Sequence, residues 1–144
     1  MTGSKFHWPP LIRKFETLVF ATMLIIVPFF AFRIVDTAGT TLMVQNTAAD
    51  LVKDLIKAKE IARDFHLNIT VVSAPPTVNE PSSYLIQSGS RTIEQIILPN
   101  GVSIAGTATF TETGLPQNPA SFIIAKGGRN AFVEVNREGN TSLH

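Results

Sequence analysis

The chain has 144 residues with no cysteine, 12 basic and 11 acidic side chains, and a net charge of +1. That length leaves room for one membrane segment and about one domain. The lack of cysteine removes disulfides, thiolate catalysis, iron–sulfur ligation and Cys-based zinc sites, and the balanced charge lacks the clustered basic excess of a nucleic-acid binder.

Residues 1–14 are a polar, Pro-interrupted leader or tail in which Lys5, Arg13 and Lys14 meet no acid before Glu16. The positive-inside rule keeps this end in the cytoplasm. Residues 17–32, TLVFATMLIIVPFFAF, carry no charge. With their flanks they make 15–36 a membrane-spanning helix of about the 20 apolar residues a bilayer requires. A cleaved signal peptide competes for the same stretch; its small-residue site, Thr37-Ala38-Gly39, lies beyond Arg33 and Asp36. Pro28 removes a backbone donor, so a kink is expected a turn earlier, near Met23 and Leu24. Gly39, among Thr37, Thr40 and Thr41, lowers helix propensity. Pro28 and Gly39 are the expected flex points.

Residues 37–66 read as an amphipathic helix. Ala48, Leu51, Val52, Leu55, Ala58, Ala62 and Phe65 recur every three or four positions, with Ile56 and Ile61 widening the stripe. The opposite face pairs Asp50 with Lys53, Asp54 with Lys57 and Glu60 with Arg63, each acid first. No proline falls between Arg33 and Val72, so both helical segments read as one rod of about 50 residues, on the order of 75 Å.

Residues 67–144 change period and form a β-rich head. Strands are expected at 68–74, 84–87, 92–98, 102–111, 121–126 and 131–136, with 141–143 as a last short return. Ile93, Ile97, Val102, Ile104, Ala108 and Phe110 suggest one buried face. SFIIAKGGRNAFVEV reads as a hairpin closed at Gly127-Gly128, with Glu134 facing water between Val133 and Val135.

Nothing in the chain argues for an enzyme. His7, His66 and His144 share no ligand spacing. There is no G-x-S-x-G elbow and no P-loop, and Glu112 has no second carboxylate near it in sequence for acid–base work. No catalytic residue, metal site or cofactor is expected. The N-x-[ST] matches at Asn68 and Asn140 are at the level of chance for this composition.

A short basic N-terminus, one apolar helix, an amphipathic continuation and an all-β head follow one another in an order that resembles the type IV pilin and pseudopilin superfamily. Two stretches, LVKDLIKAKEIARDFHLNITVV and FTETGLPQNPASFIIAKGGRNAFVEVNREGNTSL, are similar to its GspH/FimT group of minor pseudopilins. The resemblance implies an α+β fold: a long N-terminal helix, membrane-spanning in its first part, packed on an antiparallel β-sheet head. It implies a structural subunit of a type II secretion or type IV pilus-like filament, serving protein export, DNA uptake or adhesion. The protein would be single-pass in the inner membrane, with its head in the periplasm or outside the cell. Its partners would be membrane lipid, other pilin or pseudopilin subunits, the inner-membrane assembly platform and prepilin peptidase.

The processing motif is degenerate. The family pattern is Gly, then an apolar mature N-terminus, then Glu four residues further on. If Glu16 matches that Glu, the processing junction falls between Leu11 and Ile12. If Phe15 is the mature N-terminus, Val19 stands where Glu belongs. Glu16 and Phe15 are the candidate assembly residues, Glu16 as the carboxylate that pairs with a neighbouring subunit's amine; a plain interfacial Glu beside Arg13 and Lys14 is the alternative. Two rival readings are a bitopic β-domain scaffold of another envelope complex and a secreted binding domain with a cleaved signal.

Overall fold

The computed structural model describes residues 10–78 and 80–144, with side chains from residue 38 onward. The chain divides after Ala38 into two compact units. A single helix, α1 (Pro10–Phe65), is followed by β1 (Ile69–Ala74), β2 (Ser83–Ser88), β3 (Arg91–Ile97), β4 (Ser103–Ala105), β5 (Thr107–Phe110), β6 (Ala120–Lys126), β7 (Arg129–Val135) and β8 (Thr141–Leu143). The fold is α+β, a long helix on antiparallel strands. α1 stops where His66 takes a positive φ of 53° and Leu67 N–H donates to Ala62 C=O at 3.0 Å. That is the six-to-one bond of a left-handed helix cap.

The head, Gly39–His144, holds two four-stranded sheets, ordered β3-β2-β1-β5 and β4-β6-β7-β8. Between them lies one continuous core. Leu51 and Leu55 of α1 join Ile86 and Phe110 of the first sheet and Phe122 and Val133 of the second in it. The 6–7 hairpin forms as its sequence predicts, with Ala125 opposite Asn130 and Lys126 opposite Arg129 around Gly127-Gly128. Glu134 is exposed, as its place between Val133 and Val135 requires.

Two expectations are corrected. The strand expected at 102–111 is two strands, because Gly106 takes a φ of 152° and carries the chain from the second sheet into the first. Its N–H donates to Ser73 Oγ at 3.2 Å and its C=O accepts from Ser73 N–H at 3.0 Å, which fixes the corner to β1. The second correction concerns β3. Val102, Ile104, Ala108 and Phe110 are buried, but Ile93 and Ile97 are 44% and 64% exposed. β3 is an edge strand with a bulge opposite Ile86 and Gln87, and Glu94 and Ile96 occupy its inward positions.

A Cβ at Gly106 would lie 2.6 Å from both Phe122 Cδ1 and the Ser121 carbonyl oxygen. Gly106→Ala adds overpacking to a backbone conformation that L-residues rarely adopt, so it should destabilise the head by about 3 kcal/mol or more. The shift of the urea midpoint measures this.

Candidate assembly surface

The head-borne part of α1 has two unlike faces. Val44, Ala48, Leu51, Leu55, Ala58 and Ala62 are buried and face the sheets. The alanines let the strands approach, and the two leucines each contribute about 1.5–3 kcal/mol by leaving water. Thr47, buried on the same side, satisfies its hydroxyl at 2.8 Å on the carbonyl of Met43.

On the opposite face Leu42 and Ile56 are 58% and 45% exposed, with Ala49 half-buried midway. A spacing of seven residues drifts by only about 20° per step, so these three form one line along the helix. The sequence pattern assigned Ile56 and Phe65 to the core stripe. Ile56 instead faces outward, and Phe65 is 69% exposed because the core contact ends at Ala62.

The expected charge pairs are partly re-dealt. Asp50 and Lys53 do pair, at 2.8 Å. Asp54 instead accepts a 2.5 Å hydrogen bond from the hydroxyl of Tyr84 on β2, whose ring is 1% exposed. A buried phenol requires an acceptor, and Asp54 is the one within reach of it. Lys57 turns to Glu94 on β3 at 2.7 Å, and this contact raises its pKa. Arg63 pairs with its neighbour Asp64 at 3.0 Å. Sequence reasoning missed the Tyr84–Asp54 contact, which spans 30 residues and has no local signature.

The helix end is clamped as well. Lys59 Nζ donates to the Gly139 carbonyl at 3.0 Å. Gly114, at φ +79°, sits so close that a Cβ would lie 3.1 Å from both Lys59 O and Arg63 Cβ. Nearer the start of this segment, Lys126 Nζ reaches Met43 Sδ at 2.9 Å and Asn100 O at 2.8 Å.

The backbone of α1 runs through Leu11, Ile12, Phe15, Glu16 and Pro28. The side chains of those candidates, the apolar run 17–32 and the membrane segment 15–36 lie outside the residues whose side chains are described. Gly39 is helical, with nothing within 4 Å of where a Cβ would stand. Among the described residues no helix is long and apolar enough to cross a membrane, and no group of three or more His, Asp or Glu is placed to hold a metal. Open concavities lie on the head among the described residues. One of about 520 Å³ is lined by Ser121, Glu134, Asn136 and Arg137, and one of about 500 Å³ by Pro76, Val78, Ser82 and Asn100.

Solved structures share this architecture. The chain is similar to the type IV minor pilin FimU of Pseudomonas aeruginosa strain PAO1 in two crystal forms. In one, the TM-score is 0.55 at 14% identity, covering 70% of this chain and 87% of that one. In the other, it is 0.54 at 14% identity, covering 69% and 91%. The likeness at that identity is one of fold, and the fold is pilin-like. No protein-family model and no curated protein matches the sequence.

Burial, then the Asp54 carboxylate, hold the Tyr84 phenol well above its ordinary pKa. Because the folded value is the raised one, the stabilisation is complete below the unfolded pKa of about 10 and is lost as pH rises beyond it. Unfolding free energy should therefore fall with pH above about 10, and in Tyr84→Phe that slope should flatten while neutral-pH stability drops by about 1–2 kcal/mol. Urea titrations at a series of pH values read both effects.

Proposed function

We propose that this chain is a membrane-anchored minor pilin or pseudopilin of the GspH/FimT type. It would be a structural subunit of a type II secretion or type IV pilus-like filament. The observation that carries the reading is the division of labour on α1 within a pilin-like fold. One face closes the head core, and the other leaves the line Leu42–Ala49–Ile56 uncovered. In sequence that line continues the uncharged run 17–32. A helix so divided has one face for its own head and one for its neighbours. Pairing of outward lines between subunits gains about 25 cal/mol per Å² of apolar area removed from water, and needs no catalytic group.

The N-terminus would remain cytoplasmic, 15–36 would hold the subunit in the inner membrane before assembly, and the head would stand in the periplasm or outside the cell. Other pilin subunits and the assembly platform are the partners of this reading. Glu16 would pair with a neighbour's amine, and prepilin peptidase would cut at Leu11–Ile12. A bitopic scaffold is the second reading, favoured by the lack of the family glycine before the apolar run. Intact mass of the cellular protein separates the two: a chain starting at Ile12 belongs to the pilin reading, and full-length Met1 alone to the scaffold.

Ile56→Lys and Leu42→Lys place a charge on the outward line without touching the core. Each should cut incorporation into filaments at least tenfold, while the unfolding free energy of the head stays within about 0.5 kcal/mol of the parent. Shear-released filament yield and urea titration measure the two quantities, and unchanged yield in both variants would remove the outward line from assembly.

A further inference from the structure

The turn between β3 and β4 carries the chain from the first sheet to the second, and it holds the chain's one Asn-Gly pair, Asn100-Gly101. Val102 N–H donates to the Pro99 carbonyl at 3.0 Å, which closes a four-residue turn. Gly101 takes a φ of 77° while Asn100 keeps a negative φ, the pattern of a type II turn. Leu98 and Val102 are buried on either side, so the turn projects Asn100 and Gly101 from two anchors in the core. Both projecting residues are exposed and line the concavity of about 500 Å³, which leaves room for the side chain to turn and for water to approach.

An asparagine amide is open to attack by the backbone nitrogen of the residue that follows it. Glycine presents that nitrogen without a Cβ in the way. Elsewhere the same attack is blocked or hindered. Asn118 precedes Pro119, which has no N–H, and Asn130 is held in the β7 ladder opposite Ala125, with Ala131 after it. At Asn100 the attack requires the Asn100–Gly101 peptide plane to rotate, because a type II turn, with ψ of about +120° at its first central residue, aims the next nitrogen away from Cγ. Two contacts oppose that rotation. One is the Val102–Pro99 bond, and the other comes from Lys126 at the end of β6, whose Nζ donates to the Asn100 carbonyl at 2.8 Å. The lysine stem lies along the turn, with Cε 3.6 Å from where a Gly101 Cβ would stand.

We propose that Asn100 is a self-modification site of the head, and that Lys126 sets its rate by holding the turn closed. When the turn opens, the Gly101 nitrogen gives its proton to hydroxide and bonds to Asn100 Cγ. The bond from Cγ to the side-chain nitrogen breaks, that nitrogen takes a proton from solvent and leaves as ammonia, and a five-membered succinimide remains. Water then reopens the ring. Addition at Cγ returns the ordinary backbone with aspartate, and addition at the backbone carbonyl gives isoaspartate. The sum is one water in and one ammonia out, with no oxidant or cofactor. Either product adds one carboxylate and takes the net charge from +1 to 0. Isoaspartate also runs the chain through one extra carbon, which lengthens the link between Leu98 of the first sheet's margin and Val102 of the second's.

Full-length chain in detergent micelles, aged in mildly alkaline buffer and then digested for peptide mapping, tests the site. Asn100 should lose its amide about tenfold faster than Asn130 or more, at a rate that rises with hydroxide concentration. Lys126→Met, which keeps the stem, should speed conversion at Asn100 about threefold to tenfold, the factor by which loss of one hydrogen bond favours opening. Lys126→Arg should return the rate towards that of the parent. In urea that unfolds the head the clamp is gone, so parent and Lys126→Met should react equally, and both faster than the folded parent. Tyr84→Phe, weakened at the helix contact rather than at the turn, should age as the parent does. Equal conversion at Asn100 and Asn130 in the folded chain would overturn the site. A Lys126→Met rate at or below the parent's, or one matched by Tyr84→Phe, would overturn the role of Lys126.

Discussion

Burial of one helix stripe, Val44 to Ala62, under both sheets is the contact on which the head depends. The two sheets exchange no ladder hydrogen bonds. They are joined by the corner at Gly106 and by apolar side chains that meet on α1. Take the stripe away and each sheet keeps its pairings but loses its common wall, since a sheet with one apolar face requires a second layer. The polar contacts at the margins of the stripe hold α1 in register. Asp54 takes the Tyr84 hydroxyl on one flank, and Lys59 takes the Gly139 carbonyl at the helix end. The clamps set position, and burial of the apolar stripe supplies the larger part of the energy.

Much of this was legible in the residues. The 3.6 periodicity from Ala48 to Ala62 identified the helix and its buried side. The β-branched runs between Gly, Pro and Asn turns located the strands within a residue or two, and Gly127-Gly128 marked a real hairpin. What failed to show was whatever depends on tertiary position. An unbroken apolar alternation from Val102 to Phe110 gives no sign that Gly106 moves the chain between sheets. The isoleucines of β3 look like core until the sheet order makes that strand an edge. The i,i+3 charge pairs were drawn from local spacing alone, and a tyrosine 30 residues away took one of the carboxylates. Of the assembly candidates, Leu42 and Ile56 became visible as an uncovered line only once the core face was known. Glu16, Phe15, Leu11 and Ile12 rest on sequence.

The surface is partitioned by charge. Asp50, Lys53 and Lys57 flank the outward line of α1, so the electrostatics of that face respond to salt. The outer first sheet offers hydroxyls, amides and aliphatic carbon, and any contact there is blind to ionic strength. One head thus presents two surfaces that solution conditions address separately.

The clamp between Lys59 and Gly139 also bears on when the head can exist at all. The helix is made first, yet its stripe is sealed by Val133 and Val135 of β7 and locked by a turn beyond them. Until that last quarter has been synthesised, the leucines of α1 have only part of their cover. Loop closure over such separations comes late and slowly. During synthesis the head therefore stays open, and it closes only after its final strands have been made.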